Sequence, residues 1–208
     1  GDTMDLREYI PKQPAEFLGK SQQKWARLLN GSVQAIKDNE SRNLKVLLTG
    51  PPGVGKTSIA RFLARQLVVD PFRSTSIIEE SAADIDIDWC RNLKQQLNYV
   101  PMGGHTAVIV NEADLLPRKC QDLFLHIMDT LPKGALLAFT SNREQLEKRF
   151  EDRCFRVPLD NPHPNEIQDW LNTNTSLGSS VIKKLAMLKG VRSVFNQAQT
   201  CIMAEQTK

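Results

Sequence analysis

A glycine-rich segment constrains the fold of this 208-residue chain more than any other part of its sequence. The segment reads G-P-P-G-V-G-K-T-S over residues 50–58 and fits G-x-x-x-x-G-K-[ST], a loop whose backbone N–H groups surround a polyphosphate. An apolar run over 44–49 precedes it, and a helical pattern over 58–67 follows it. Because the motif requires this strand–loop–helix order, the sequence predicts a nucleoside triphosphate site here.

Each part of this loop has a predicted role at the nucleotide. Lys56 is placed to reach the β- and γ-phosphates, and the Thr57 hydroxyl is placed to bind Mg²⁺. The glycines let the backbone turn with its N–H groups inward, and the start of the following helix adds positive potential. The residues predicted to bind the nucleotide are Gly50, Pro51, Pro52, Gly53, Val54, Gly55, Lys56, Thr57 and Ser58.

A second apolar run, over 106–110, leads into the acidic sequence N-E-A-D at 111–114. In P-loop ATPases the strand beside the loop carries an Asp that orients Mg²⁺, and in many a Glu beside it polarises the attacking water. Glu112 fits the second role. The first position is Asn111, an amide that can hydrogen-bond a metal-bound water but adds no negative charge, so we expect weaker Mg²⁺ binding and slower turnover. The alternative is that both residues only end a strand.

Composition narrows the class of protein only modestly. The 27 Lys and Arg against 24 Asp and Glu give a net charge of +3, which permits nucleic-acid contact without demonstrating it. The four cysteines lack C-x-x-C spacing, so we expect no zinc site or disulfide framework, and a reducing compartment, cytoplasmic or nuclear in a eukaryote. The apolar runs are too short for a membrane span, so we expect no membrane partner.

Apolar runs alternate with helical patterns, which predicts an α/β fold with a five-stranded parallel sheet covered by helices on both faces. The predicted strands are 44–49, 76–80, 107–111, 135–140 and 155–159, and the predicted helices are 22–35, 58–67, 87–97, 118–130 and 144–150. After a cluster of prolines only helical patterns remain, at 165–171, 179–188 and 192–204, with Ser179 or Ser180 as an N-cap. We therefore predict a P-loop domain over 1–160 and a small all-helical lid domain over 161–208.

With both motifs placed, the chain resembles AAA+ ATPases and, within them, clamp-loader subunits. Y-I-P-K at 9–12 and F-L-G at 17–19 resemble the family's opening segment, with Ile10 in place of Arg and Lys20 in place of Gln. S-A-A-D at 81–84, followed by Arg91, resembles the stretch before the acidic strand. L-A-F-T-S-N at 137–142 resembles the sensor-1 strand, D-R-C at 152–154 the arginine-finger motif S-R-C, and G-V-R-S-V-F-N at 190–196 the sensor-2 segment of the lid.

The resemblance implies ATP and Mg²⁺ as cofactors, with Tyr9 and Ile10 against the adenine and Thr57 and Asn111 at the metal. It also implies assembly with other AAA+ subunits in a ring or spiral. The collar domain of that family has no counterpart in this sequence, so we expect a truncated or short relative. The implied catalytic residues are Lys56, Glu112, Asn142 and Arg192 in one subunit, with Arg153 supplied in trans. Taken singly, Asn142, Arg153 and Arg192 also fit ordinary turn, surface or helix-capping roles.

DNA is a further partner that the resemblance implies, and a sliding clamp is another. In the family, phosphates are gripped by the helices before and after the acidic strand. The corresponding basic residues are Arg91, Lys94, Arg118 and Lys119, which alternatively are solvated surface charges.

Three functions remain open from the sequence. The first is a clamp-loader-like ATPase in DNA replication or repair. The second is a structural subunit that binds nucleotide without hydrolysing it, which Asn111 favours. The third is another AAA+ remodeller of DNA or protein, such as a branch-migration motor or helicase loader.

Overall fold

The computed structural model describes residues 4–38, 42–68, 77–99, 104–143 and 146–208. Its strands are β1 (Leu44–Thr49), β2 (Ile77–Ser81), β3 (Thr106–Asn111), β4 (Ala135–Ser141) and β5 (Phe155–Pro158). They form one parallel sheet in the order β2-β3-β4-β1-β5, which confirms the predicted five-stranded parallel sheet. Since β1 lies between two strands that do not adjoin it in the sequence, the chain order changes direction beside β1, where α/β proteins bind ligands.

Helices cover the sheet and then form the lid. They are α1 (Lys20–Asp38), α2 (Lys56–Leu67), α3 (Ile87–Asn98), α4 (Arg118–Asp129), α5 (Lys148–Glu151), α6 (Pro164–Asn174), α7 (Ser179–Leu185) and α8 (Val191–Gln206). The α/β architecture and the helical C-terminal region are thus as predicted, and most predicted boundaries differ from the observed ones by one to three residues.

Two of the predicted helix starts and one predicted N-cap were wrong for identifiable reasons. Helix α2 begins at Lys56 rather than at residue 58, because Gly55 adopts a φ of 109° and ends the loop there. Glu147 is extended, so α5 begins only at Lys148; residues 144–145 of the predicted helix, like residue 76 of the predicted strand, lie outside the described residues. Gly178 is the N-cap of α7, and neither predicted serine caps it.

Two apolar cores fill the faces of the sheet. The inner strands β1, β3 and β4 are almost entirely inaccessible, as expected for parallel strands covered on both sides. Helices α1 and α2 pack on one face through side chains such as Leu29 and Leu63, and α3 and α4 pack on the other through side chains such as Leu93 and Phe124. This double cover fixes the carboxyl edge of the sheet, where the loops after β1, β3 and β4 meet.

A third core joins the N-terminal segment to the lid. Leu6 and Leu18 pack with Ile167, Leu171 and Val194 of the lid helices. The backbone N–H of Leu6 also donates to the buried Gln199 side chain of α8 at 2.9 Å. The segment before α1 therefore packs against the lid, while the division at residue 160 stays a prediction.

No helix among the described residues is both long enough and apolar enough to cross a bilayer.

Candidate nucleotide site

A cavity of about 810 Å³ lies between the carboxyl edge of the sheet, the N-terminal segment and the lid. It is lined by residues from the loop after β1, from the ends of β3 and β4, and from the start of α8. Predicted site residues that line it are Tyr9, Ile10, Pro52, Gly53, Gly55, Lys56, Thr57, Ser58, Asn111, Glu112, Asn142 and Arg192. The structure thus brings twelve dispersed residues to one cleft.

Close packing shapes the loop at residues 50–55. Gly50 has a φ of 145°, and a Cβ there would lie 2.5 Å from the Leu159 carbonyl oxygen, so only glycine fits. Gly53 has a φ of 76° and contacts the lid, because its carbonyl accepts the Arg192 N–H at 3.1 Å. The close approach of Gly50 to Leu159 holds the loop against the chain that leads to the lid. The hydrogen bond between Gly53 and Arg192 joins the start of α8 to the loop.

Lys56 is held at the centre of the cleft. Its side chain is buried, with 7 % of the residue exposed, and Nζ donates to the carbonyls of Gly50 at 2.7 Å and Pro51 at 2.8 Å. Burial, followed by repulsion from Arg192, lowers the pKa of Lys56 from 10.5 to about 8. Two cations thus face one cleft, an arrangement that a polyphosphate stabilises.

A chain of hydrogen bonds joins the loop to the ends of β3 and β4. Asn111 Oδ1 accepts from the Thr57 hydroxyl at 3.0 Å and from the Thr140 hydroxyl at 3.2 Å. Thr140 Oγ1 in turn accepts the Glu112 N–H at 3.1 Å. The amide oxygen of Asn111 therefore occupies an acceptor position next to the predicted metal-binding hydroxyl, without the charge of a carboxylate.

Glu112 has the single positive φ among non-glycine residues in the described part of the chain, with φ 57° and ψ 48°. This left-handed conformation is uncommon for a side chain of this kind, and such residues cluster at functional sites. The turn directs the chain out of β3 into the short 3-10 helix Ala113–Leu115 and leaves the Glu112 side chain exposed at the cleft.

The loop after β4 is attached to that same 3-10 helix. Asp114 Oδ1 accepts from the Ser141 hydroxyl and from the Asn142 N–H, both at 3.3 Å. Asp114 Oδ2 lies 4.0 Å from Arg143 Nε, and the Asp114 side chain is 8 % exposed. Asn142 itself is exposed and lines the cleft.

Aromatic side chains build the end of the cleft that lies under the lid. Tyr9 packs edge-on against Trp170 and Phe195, with ring centroids 5.3 and 5.7 Å apart. The Tyr9 hydroxyl and Trp170 Nε1 both donate to the Glu16 carbonyl at 3.1 Å. Ile10, half-exposed, lines the cleft beside them, so this end offers an apolar surface of the kind that a nucleobase packs against.

The other predicted loop residues do not line the cleft. Val54 is fully buried in the core, and Gly50 and Pro51 contribute the carbonyls that hold Lys56. Arg153 lies elsewhere: its guanidinium binds Asp129 at the end of α4, with Nε 2.9 Å from Oδ1, and donates to the Arg149 carbonyl at 2.8 Å. This ion pair raises the pKa of Arg153, whose side chain is 31 % exposed.

Three of the four basic residues predicted to contact DNA share a second groove. Arg91, Arg118 and Lys119 line a depression of about 560 Å³ between the starts of α3 and α4, and Lys94 does not line it. The groove also contains Asp86 and Asp88, and Asp88 lies 3.8 Å from Arg91. Its charge is therefore mixed rather than uniformly basic.

Gln22 is a contributor to the site that sequence reasoning missed. It is 1 % exposed, and Nε2 donates to the carbonyls of Val54 at 3.1 Å and Asp160 at 2.8 Å, joining α1, the loop and the chain entering the lid. A polar residue in the buried stripe 22, 26, 29, 33 and 36 of α1 was the available signal.

Arg61 and Arg65 of α2 also line the cleft unpredicted. Arg61 makes a bidentate ion pair with Glu79 of β2, which holds its guanidinium on the cleft wall.

The fold and this loop define a P-loop nucleotide-binding protein. The profile of the "ATPase family associated with various cellular activities (AAA)" matches residues 46–159, more than half of the chain. The chain belongs to this AAA family.

Curated relatives agree with the motif-based resemblance. The chain is 23% identical over 154 residues to replication factor C subunit 4 of Saccharomyces cerevisiae, covering 72% of this chain and 46% of that protein. It is 30% identical over 157 residues to the replication factor C small subunit of Methanocella arvoryzae, covering 74% and 47%. The predicted resemblance to the clamp-loader branch, as a divergent member, is confirmed, although the chain spans about half the length of these relatives.

A solved structure supports the fold. The Holliday junction branch migration motor RuvB of Thermotoga maritima matches with a TM-score of 0.70 at 20% identity, over 93% of this chain and 64% of that one.

Proposed function

We propose that this chain is an ATP-hydrolysing AAA+ subunit that resembles clamp-loader subunits and acts on DNA within an assembly of such subunits. The observation that carries the proposal is the convergence of Lys56 and Arg192 on one cleft beside the Thr57–Asn111 hydrogen bond. The Lys56 and Arg192 side chains bind the phosphates. The Thr57 hydroxyl and the Asn111 amide supply neutral oxygen ligands suited to a hard divalent cation.

Mg²⁺ fits these residues as a weakly held ion. Thr57 Oγ1 and Asn111 Oδ1 are 3.0 Å apart, and Mg²⁺ in ATPases is bound by few protein oxygens together with phosphates and water. When bound, the ion neutralises charge on the phosphates. Asn111 then accepts a hydrogen bond from Thr57, which orients the hydroxyl lone pairs, but it adds no charge of its own.

The remaining residues divide the chemistry of hydrolysis. Glu112 supplies the carboxylate that polarises water, and Asn142 contacts the γ-phosphate from the neighbouring strand end. Lys56 and Arg192 stabilise charge on the transferred phosphoryl group. Arg153, held on the outer surface by Asp129, serves the site of a neighbouring subunit.

A second candidate is a subunit that binds ATP structurally, and Asn111 is the observation that favours it. We expect Asn111→Asp to restore charge at the metal, tightening Mg²⁺ binding by about tenfold and raising turnover, because a carboxylate beside the ion adds a full negative charge. Mg²⁺ titrations of ATPase rate and of ATP affinity measure both effects.

Asn172→Asp, an exposed change on α6, controls for added charge. If Asn111→Asp leaves Mg²⁺ affinity at the wild-type value, Asn111 is not at the metal.

DNA binding is proposed for the groove between α3 and α4. Lys119 and Arg118 open α4, where helix N–H groups also favour phosphate, and Arg91 faces them across the groove. Such contacts carry no sequence information, so affinity should be sequence-tolerant and fall steeply with salt.

Replacing Arg91 and Lys119 with Glu should abolish DNA retention at low salt, while ATP affinity stays unchanged. The slope of the logarithm of DNA affinity against the logarithm of salt concentration should become shallower by about two. Fluorescence anisotropy with labelled primed DNA over a salt series measures this. The matched control reverses Lys183 and Lys184, two exposed lysines of α7, with the same change in net charge. Equal losses in both variants would show that general charge, and not this groove, attracts DNA.

ATP turnover measured with and without primed DNA and a sliding clamp separates the candidates. Stimulation supports the clamp-loader-like ATPase. Tight ATP binding without turnover supports the structural subunit. Turnover indifferent to primed DNA and clamp but stimulated by a four-way junction supports a branch-migration motor, the class to which RuvB belongs.

A further inference from the structure

Asp114 is a buried carboxylate close to the cleft but not among its lining residues, and the proposed chemistry has no role for it. It follows Glu112 by two residues, on the 3-10 helix Ala113–Leu115, and its side chain is 8 % exposed. A carboxylate this buried requires hydrogen-bond partners to offset its lost hydration. Its partners identify its role.

Both close hydrogen bonds of Asp114 go to the loop after β4. Ser141 Oγ and the Asn142 backbone N–H donate to the same oxygen, Oδ1, at 3.3 Å each. Among the described residues, Oδ2 has one ion-pair partner, the more distant guanidinium of Arg143 at 4.0 Å. The anchor for Asn142 is therefore one acceptor oxygen, and the second oxygen serves a weak, exposed ion pair.

The bonds fix two strand ends relative to each other. Thr140 already joins the ends of β3 and β4 through Asn111 and the Glu112 N–H. Asp114 adds a second connection two residues farther along β4, at the point where the chain leaves the sheet. Asn142 is exposed and follows the last strand residue. Two hydrogen bonds of 3.1 Å between Ser141 Oγ and the Arg143 N–H and carbonyl close the turn around it, but the bond to Asp114 is the one that holds its own backbone N–H among the described contacts.

We infer that Asp114 is a positioning residue that holds Asn142 at the γ-phosphate position of the cleft, and thereby sets how strongly the chain distinguishes ATP from ADP. This inference rests on the proposed function, because it assigns Asn142 to the γ-phosphate. Asp114 acts through Asn142 and touches no substrate itself.

The test is a double-mutant cycle on the ratio of ATP to ADP affinity. Losing one hydrogen bond to a charged phosphate lowers affinity by about tenfold, so Asn142→Ala should lower the ratio by about that factor. Asp114→Ala should lower it to a similar extent, and the double variant should lower it no further. ADP affinity should change little, since neither substitution touches the loop at 50–58. Asp114→Ala should lower the melting temperature, because it leaves the Ser141 hydroxyl and the Asn142 N–H without this acceptor.

Asp114→Asn separates the acceptor from the charge. An asparagine keeps an acceptor oxygen in the Oδ1 position and loses the ion pair with Arg143, so the wild-type ratio should be retained. Ser141→Ala removes one of the two donors to Asp114, together with the two hydrogen bonds between Ser141 and Arg143, and leaves the bond from the Asn142 N–H in place. An intermediate ratio is therefore expected, and this variant supplies the measurement should Asp114→Ala fold poorly.

Several results would overturn the inference. These are an unchanged ratio in Asp114→Ala or Ser141→Ala, additive losses in the double variant, or a loss in Asp114→Asn equal to that in Asp114→Ala. An Asn142→Ala variant with a normal ratio also overturns it. Failure of the proposed function is distinguishable from failure of this inference. In that case the Lys56→Ala variant would bind ATP as tightly as the wild type does.

Discussion

Replacing Lys56 with Ala should abolish measurable ATP binding while leaving the fold intact. The ammonium is held by the Gly50 and Pro51 carbonyls at 2.7 and 2.8 Å, and an ammonium has a third hydrogen to donate to a phosphate oxygen. It sits in a partly desolvated cleft where charge on phosphate is weakly screened, so the loss should exceed about 100-fold in Kd. Titration with a fluorescent ATP analogue measures it.

The matched control is Lys45→Ala. Lys45 Nζ also donates to a backbone carbonyl, that of Met128 at 3.2 Å, but it lies outside the cleft. Its ATP affinity should equal that of the wild type. If Lys56→Ala binds the analogue as tightly as Lys45→Ala does, the loop at 50–58 is not the nucleotide site.

The lowered pKa of Lys56 adds a pH dependence with a defined sign. Phosphate favours the protonated amine, so binding raises a pKa that stands at about 8 in the free chain. Affinity should therefore be full below pH 8 and fall by about tenfold per unit as pH rises above 8, until the pKa of the complex is reached. Lys56→Arg keeps its charge throughout, so its affinity, whatever its absolute value, should vary less between pH 8 and 9.5.

The sequence predicted the fold and the site best where a residue type or pattern has few possible structural roles. The glycines and lysine of the loop, and the apolar runs of β1, β3 and β4, predicted both the parallel sheet and the edge at which the site lies. Parallel strands place their carboxyl ends together, so the sequence alone predicts that Asn111 and Asn142 lie near Lys56.

The residues that the sequence did not reveal act through partners remote in the chain. Gln22 meets Val54 and Asp160, 32 and 138 residues away, and Glu166 accepts the Lys20 N–H at 2.6 Å across 146 residues. No local pattern encodes such pairings. Asp114 was easier to find from the sequence, because it is a second acid in the run N-E-A-D, two residues after Glu112. Its partners at the end of β4, however, depend on the strand order of the sheet.

Helix ends were predicted imperfectly because side-chain propensity competes with backbone geometry. Ser179 and Ser180 are common N-cap residues, but the chain turns at Gly178, whose carbonyl accepts the Ile182 N–H at 3.0 Å. At α2 the left-handed Gly55 starts the helix early, which places Lys56 and Thr57 in the first turn with their side chains toward the cleft.

Arg153 should act on the active site of a neighbouring subunit, and its removal should reduce turnover on the order of 10³-fold, as for arginines that complete other nucleotide sites. Within its own chain the guanidinium binds Asp129 and does not line the cleft that holds Lys56. A partly exposed arginine with two hydrogen bonds to one carboxylate is oriented but still accessible to another subunit.

Complementation between two inactive variants tests this assignment. Arg153→Ala subunits retain Glu112, and Glu112→Gln subunits retain Arg153, so a mixture contains some interfaces with both wild-type groups. ATPase activity should be negligible for either variant alone and should reappear on mixing, with a maximum at intermediate ratios. Arg156→Ala, which removes a nearby exposed arginine paired with Glu151, should leave turnover near the wild-type value. Absence of rescue at every ratio, with a monomer by light scattering, would mean that Arg153 serves no neighbouring site, and its bond to Asp129 would then be structural.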